Sequence, residues 1–154
     1  MTILRWVLAL AVGGFLLMMG VMKFSGAAHI FPLIEMKATA LGMPMAGLAY
    51  PLGNYATGAL ELLAGVLVIL PMTRKLGAQL SVLPFLGAVV FHLSPLLGVS
   101  TPAGYADPKP VEALSAGGPF TAADFSSETT TMLFMMAMAG LIASIVNLII
   151  QRNA

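Results

Sequence analysis

Four apolar runs, each close to the length that crosses a membrane, dominate this sequence: residues 6–22, 52–70, 76–99 and 131–150. A helix needs roughly 20 apolar residues to span a hydrocarbon core about 30 Å thick. The first run ends at Lys23, the second carries a single charge at Glu61 and stops at Pro71, and the fourth carries no charge. The third contains His92, Pro84 and Pro95. None shows a two-residue alternation, and each exceeds a barrel strand, so helices are expected. Only 8% of the 154 residues are charged, against roughly 25% in a soluble domain. The expected fold is therefore an all-α membrane protein: one domain over residues 1–154, an antiparallel four-transmembrane-helix bundle with two long outer loops containing short helices.

The first run reads as a retained helix. Arg5 and Gly26-Ala27-Ala28 loosely imitate a signal peptide, but the uncharged run is longer than a usual signal core. A net charge of +1 excludes the electrostatic footprint of a nucleic-acid binder. The absence of cysteine excludes thiol nucleophiles, iron–sulfur clusters and Cys-ligated zinc.

Four spans place both termini on one side. That side carries Arg5, Arg74, Lys75 and Arg152 and no acid. The other carries Lys23, Lys37 and Lys109 beside Glu35, Asp107, Glu112, Asp124 and Glu128. The positive-inside rule then predicts cytoplasmic termini, with loops 23–51 and 100–130 facing the periplasm. Both loops exceed simple connections. The stretch His29–Lys37 predicts a short interfacial helix. Pro110 predicts a short helix through Val111–Leu114. Thr121 with Asp124 forms a capping-box pattern, which predicts that the fourth helix begins outside the membrane. The loops read equally as plain connections or as a functional cap.

Lipid provides no hydrophobic drive between helices, so small residues mark contact faces. Gly13 and Gly20 share a stripe with Lys23; Gly58 and Gly65 flank Glu61; Gly140, Ser144 and Asn147 mark the fourth span. An ionisable residue at depth costs on the order of 2.5–3.5 kcal/mol and faces the interior with a partner. Glu61 lies roughly 13 Å below the outer end of its run, and His92 roughly 10 Å below the end of its own, at 1.5 Å per residue. Asn54 shares a face with Glu61, Tyr55 borders it, and Lys23 stands at the boundary, where its stem can snorkel outward. Lys23, Asn54, Tyr55, Glu61 and His92 are thus the candidate ligand-binding residues, suited to a proton, a quinone head group or another polar ligand. The competing reading is structural: Glu61 and His92 bond each other, or the backbone freed by Pro84 and Pro95, and fix helix register. His29 has no evident partner in the sequence. Twelve methionines invite a copper reading, because thioethers suit Cu(I). Two histidines and no cysteine favour methionine as core filler and lipid contact, with no metal site.

Three segments resemble the DoxX-like family of small four-span bacterial membrane proteins. They are Gly20-Val21-Met22-Lys23-Phe24, Ala59-Leu60-Glu61-Leu62-Leu63-Ala64-Gly65 with the following Leu70-Pro71-Met72-Thr73-Arg74, and Gly87-Ala88-Val89-Val90-Phe91-His92. The resemblance covers about residues 5–98; the loop at 100–130 is longer than the family pattern. It implies a bacterial inner-membrane bundle, with Lys23, Glu61 and His92 as the matching positions. Some such proteins are similar to subunits of a thiosulfate:quinone oxidoreductase, and others are linked to oxidative-stress complexes.

The expected function is a subunit or accessory factor of a membrane redox system with a quinone or small-ligand site near the outer leaflet. No cofactor is required beyond a bound quinone or lipid. The partners are the bilayer and another membrane or periplasmic protein or a second copy. A structural or assembly subunit without chemistry is the alternative, and a small proton-coupled transporter a weaker one, since no inverted repeat is visible. Catalysis by the chain alone is not expected, because no cofactor motif is present.

Overall fold

The computed structural model describes residues 2–107 and 119–152. Among them, four helices are long and apolar enough to cross a membrane: Ile3–Phe24, Ala49–Ile69, Arg74–His92 and Met132–Arg152. In chain order the elements are α1 (Thr2–Phe24), α2 (Ile30–Ala40), a π-type turn (Ala49–Gly53) leading into α3 (Asn54–Ile69), α4 (Arg74–His92), β1 (Thr101–Pro102), a 3₁₀ turn (Ala122–Asp124), β2 (Thr129–Thr130) and α5 (Met132–Arg152).

The long helices meet through their small residues. A Cβ on Gly13 would stand 2.9 Å from the Gly65 carbonyl, and one on Gly20 3.0 Å from the Gly58 carbonyl. Rising numbers on α1 thus meet falling numbers on α3, so the two are antiparallel and in near-backbone contact, as the glycine stripes predicted. The α3–α4 hairpin is tighter still, with the backbone of Leu67 and Val68 against Gly77. On α5, Gly140 lies under the Phe85 ring of α4, and Phe134 meets His92 edge-on at 5.7 Å between ring centroids. These pairings bring the start of α1, the α3–α4 turn and the end of α5 to one end, and α2 with both loops to the other.

The surface of these helices is apolar and the seams between them are polar. Ile3, Val21, Leu63, Val90, Met135 and Ile149 are exposed, whereas Ser81, Ser144 and Asn147 are fully buried. That inversion suits lipid, where outward apolar side chains cost nothing and polar groups need internal partners. Arg74 closes the hairpin. Its guanidinium donates to the carbonyls of Val68 and Ile69, at 3.3 and 3.0 Å, and stacks on Trp6 at 4.0 Å. The last carbonyls of α3 are thereby capped by a cation.

The loop end differs from expectation in three places. The third apolar run does not stay helical to Val99, because α4 ends at His92. Pro95 has no N–H to continue the ladder, and Gly98 then turns the chain with φ +78°. The Thr121–Asp124 box does form: the Asp124 carboxylate accepts from the Thr121 N–H and hydroxyl at 2.7 and 3.1 Å. It closes one 3₁₀ turn only, and the chain runs on extended through Phe125 to β2. The Thr130 hydroxyl, accepting from Met132 N at 3.1 Å, opens α5 instead. The 100–130 loop also holds a short antiparallel ladder, Thr101 with Thr130 and Pro102 with Thr129. The helix expected at Val111–Leu114 lies outside the described residues.

The short helix predicted over His29–Lys37 is present as α2, and it is covered on one face. Leu33, Ile34 and Ala38 pack with Ala49, Leu96, Leu97 and Phe125 in an apolar cluster that joins the two loops. Glu35 fastens the following segment by accepting from Gly47 N at 2.5 Å and Tyr50 N at 3.2 Å. The loops therefore form a cap with its own core.

Candidate functional site

Lys23 is the residue whose placement differs most from expectation. It does not snorkel outward. Its stem turns back over Gly58, where an added Cβ would lie 3.1 Å from Lys23 Cβ. Its Nζ then donates to both oxygens of Glu61, at 2.7 and 2.6 Å. Both side chains are over nine-tenths buried. A charge that lipid would penalise is thus neutralised by a bidentate partner 38 residues away. Phe31 of α2 adds a ring face 5.9 Å from Nζ.

The pair lines a cavity of about 180 Å³ below α2. His92 lines it too, although not at the depth its run implied. Gly77 lies level with Leu67 and Val68, so Glu61 is level with Pro84, and His92 is roughly 12 Å nearer the loop end at 1.5 Å per residue. Nor does His92 bond Glu61. Its Nδ1 lies 2.8 Å from the Gly98 carbonyl. A carbonyl only accepts, so Nδ1 carries the proton, and Nε2 is an acceptor in the neutral ring.

Asn54 and Tyr55 are not brought into the cavity. Asn54 donates to the Lys23 carbonyl at 3.0 Å and so caps the end of α1. Tyr55 stacks on Phe24 with ring centroids 5.4 Å apart. Pro84 sits inside α4 and cannot donate to the Leu80 carbonyl, far from His92; Pro95 lies outside the helix, and the backbone carbonyl that His92 bonds, Gly98, belongs to the turn beyond it. Sequence reasoning missed the apolar walls: Phe31 and Ile34 above, and Met19, Phe15 and Phe85 on the inner side. The apolar period of α2 was the available signal for the roof. The Phe15–Phe85 stack, at 5.6 Å, had no local signal.

The site offers a matched donor and acceptor. An ammonium has three N–H donors and Lys23 uses two on Glu61; a carboxylate has about four lone-pair sites and Glu61 accepts two. One donor and several acceptor sites are left over, and Lys23, Thr57, Glu61 and His92 are the polar residues in a lining that is otherwise apolar. Among the described residues, no group of three or more His, Asp and Glu side chains is placed to hold a metal ion.

His29 has a partner after all. Its Nε2 donates to the Pro102 carbonyl at 2.9 Å, and Tyr105 meets the ring edge-on at 6.0 Å. Burial holds its pKa below the ordinary 6.5, outweighing the bond to Pro102, which favours the cation. The unfolded cap therefore binds a proton more readily than the folded one. Cap stability is full above pH 6.5 and falls as the pH drops below it. The hydrogen-exchange protection factors of residues 29–40, which are corrected for the intrinsic pH dependence of exchange, are expected to fall between pH 8 and 5.5, and His29→Gln to weaken that dependence; equal pH dependence in both proteins would remove the assignment.

No family model, curated protein or solved structure matches the chain. Its function is read from this cavity and from the sequence segments that line it.

Proposed function

We propose that this chain is a DoxX-like protein of the bacterial inner membrane that binds a quinone head group beside the Lys23–Glu61 pair. It serves as a subunit or accessory factor of a membrane redox system. The termini are cytoplasmic and the cap is periplasmic, in keeping with Arg5, Arg74, Lys75 and Arg152 at the hairpin end.

The observation that carries the reading is a buried, bidentate ion pair with spare hydrogen-bonding capacity in the wall of an apolar cavity. A cavity of roughly 150 Å³ takes a benzene-sized ring, so about 180 Å³ suits a substituted one. A quinone oxygen accepts from the free N–H of Lys23. A quinol hydroxyl donates to a free lone pair of Glu61 or to Nε2 of His92. The same three groups thus serve both oxidation states, while electron transfer belongs to a partner that carries a cofactor.

The test is saturable retention of a methylated benzoquinone and of its quinol by the protein in phosphatidylethanolamine–phosphatidylglycerol nanodiscs, against empty discs. A hydrogen bond to a charged group is worth about 1.5–3 kcal/mol. Retention of the quinol, whose hydroxyl donates to these two groups, is therefore expected to weaken tenfold or more in Glu61→Gln, and several-fold in His92→Ala. Binding that is unchanged in both variants ends the proposal.

A second reading is favoured by the same pair. Because Lys23 and Glu61 satisfy each other, they also staple α1 to α3, as an assembly subunit without chemistry would need. That reading expects a stable membrane or periplasmic partner, or a second copy, and no bound quinone.

A further inference from the structure

The cavity is bounded by apolar side chains toward the loops and toward the hairpin. Above it, Phe31 and Ile34 of α2 and Leu97 form the roof, with Ile34 1% and Leu97 3% exposed. The α1–α3 seam is shut by glycine against backbone, at Gly13 with Gly65 and Gly20 with Gly58. Toward the hairpin end, the stacked rings of Phe15 and Phe85 stand between this cavity and a second apolar cleft of about 250 Å³ lined by Ala11, Ala139 and Ala143.

One side remains. Leu83 lines the cavity yet is 52% exposed on the lipid-facing surface. Gly87, one turn along α4, also lines it, and a Cβ there would meet nothing within 4 Å. Across from them lies Leu60 of α3. The tight packing of Gly77 on Leu67 and Val68 holds the two helices together near the hairpin; no such contact closes them at Gly87.

We infer that the gap between Leu60 and the Leu83–Gly87 edge is a lateral mouth, and that the ligand is a membrane-dissolved amphiphile whose apolar tail lies in it. The inference rests on the head-group site proposed above and adds a place for the tail and a ligand class. The polar ring sits beside Lys23 and Glu61. The tail stays in the mouth and continues into lipid, where its methylenes need no water-filled path. Gly87 is the residue that leaves room for it.

Because a Cβ at Gly87 meets nothing within 4 Å, the side chain of Gly87→Phe enters the mouth without a clash at its root, and Leu83→Trp fills the mouth from the adjacent turn. Two probes are compared in the same nanodiscs: the methylated benzoquinone without a tail and its decyl-tailed analogue. Wild-type protein is expected to retain both. Gly87→Phe and Leu83→Trp are expected to lose the tailed probe tenfold or more and to hold the tail-less one within about twofold. Retention of both probes by both variants overturns the mouth, and loss in Ala143→Phe instead would move the tail to the second cleft. Equal loss of both probes in both variants also overturns it, since these positions would then bear on the ring alone. If wild-type protein retains neither, the head-group site itself fails, an outcome distinct from failure of the mouth.

Discussion

Replacing Glu61 with leucine is expected to cost about 3–5 kcal/mol of stability, and the double variant Lys23→Met/Glu61→Leu to recover most of that loss. The reason is the location of the pair. Both groups are more than nine-tenths buried, and each carboxylate oxygen accepts from Nζ at 2.6–2.7 Å. Removing one partner strands the other charge among Phe31, Met19 and Leu16, which offer it no hydrogen bond. Removing both leaves apolar groups of similar volume, which a lipid-embedded core accepts at little cost. Unfolding of single and double variants by denaturing detergent, read as a double-mutant cycle, measures the coupling. A coupling near zero would mean that the two charges are solvated independently. The double variant also separates the two readings of the site, because it keeps the helices together while removing every charged group from the cavity. If it folds and no longer retains quinone, the pair is more than a staple.

What the sequence made legible follows from what is local. The four runs, the Pro71 turn, the glycine stripes on α1 and α3 and the helix at α2 are all periodic or compositional signals, and each is present in the structure. The end of α4 was misplaced because hydropathy persists to Val99 while Ser94-Pro95 breaks the backbone ladder. The capping box was read correctly, yet the element after it is extended. Phe125 is drawn into a stack with Tyr105 at 5.8 Å, and that attraction outweighs a single turn of helix. The direction of Lys23 is not a local property. A lysine at a boundary can reach either way, and the choice is made by the groove over Gly58 and by the carboxylate beyond it. His29 likewise finds its partner 73 residues along the chain. In each of these cases the missing information is a long-range pairing.

Two glycines on α4 are expected to respond to the same substitution with very different costs. A Cβ on Gly77 would stand 2.1 Å from Val68 N and 2.4 Å from the Leu67 carbonyl carbon, against 3.4 Å for ordinary contact. The obstructing atoms are backbone, so no rotamer relieves them, and α3 and α4 must part by about 1.3 Å, the difference between 2.1 and 3.4 Å. That displacement pulls Arg74 from the carbonyls of Val68 and Ile69 and Thr73 from that of Leu67. Gly77→Ala is accordingly expected at the upper end of overpacking costs, about 3 kcal/mol or more. Gly87→Ala places its methyl in open space and is expected within about 1 kcal/mol of wild type, toward greater stability. Detergent unfolding of the two variants side by side checks the contrast. Similar stability would mean that the hairpin is looser than its backbone contacts imply. A large loss at Gly87 would mean that the gap beside it is filled, and the lateral mouth would then have no room.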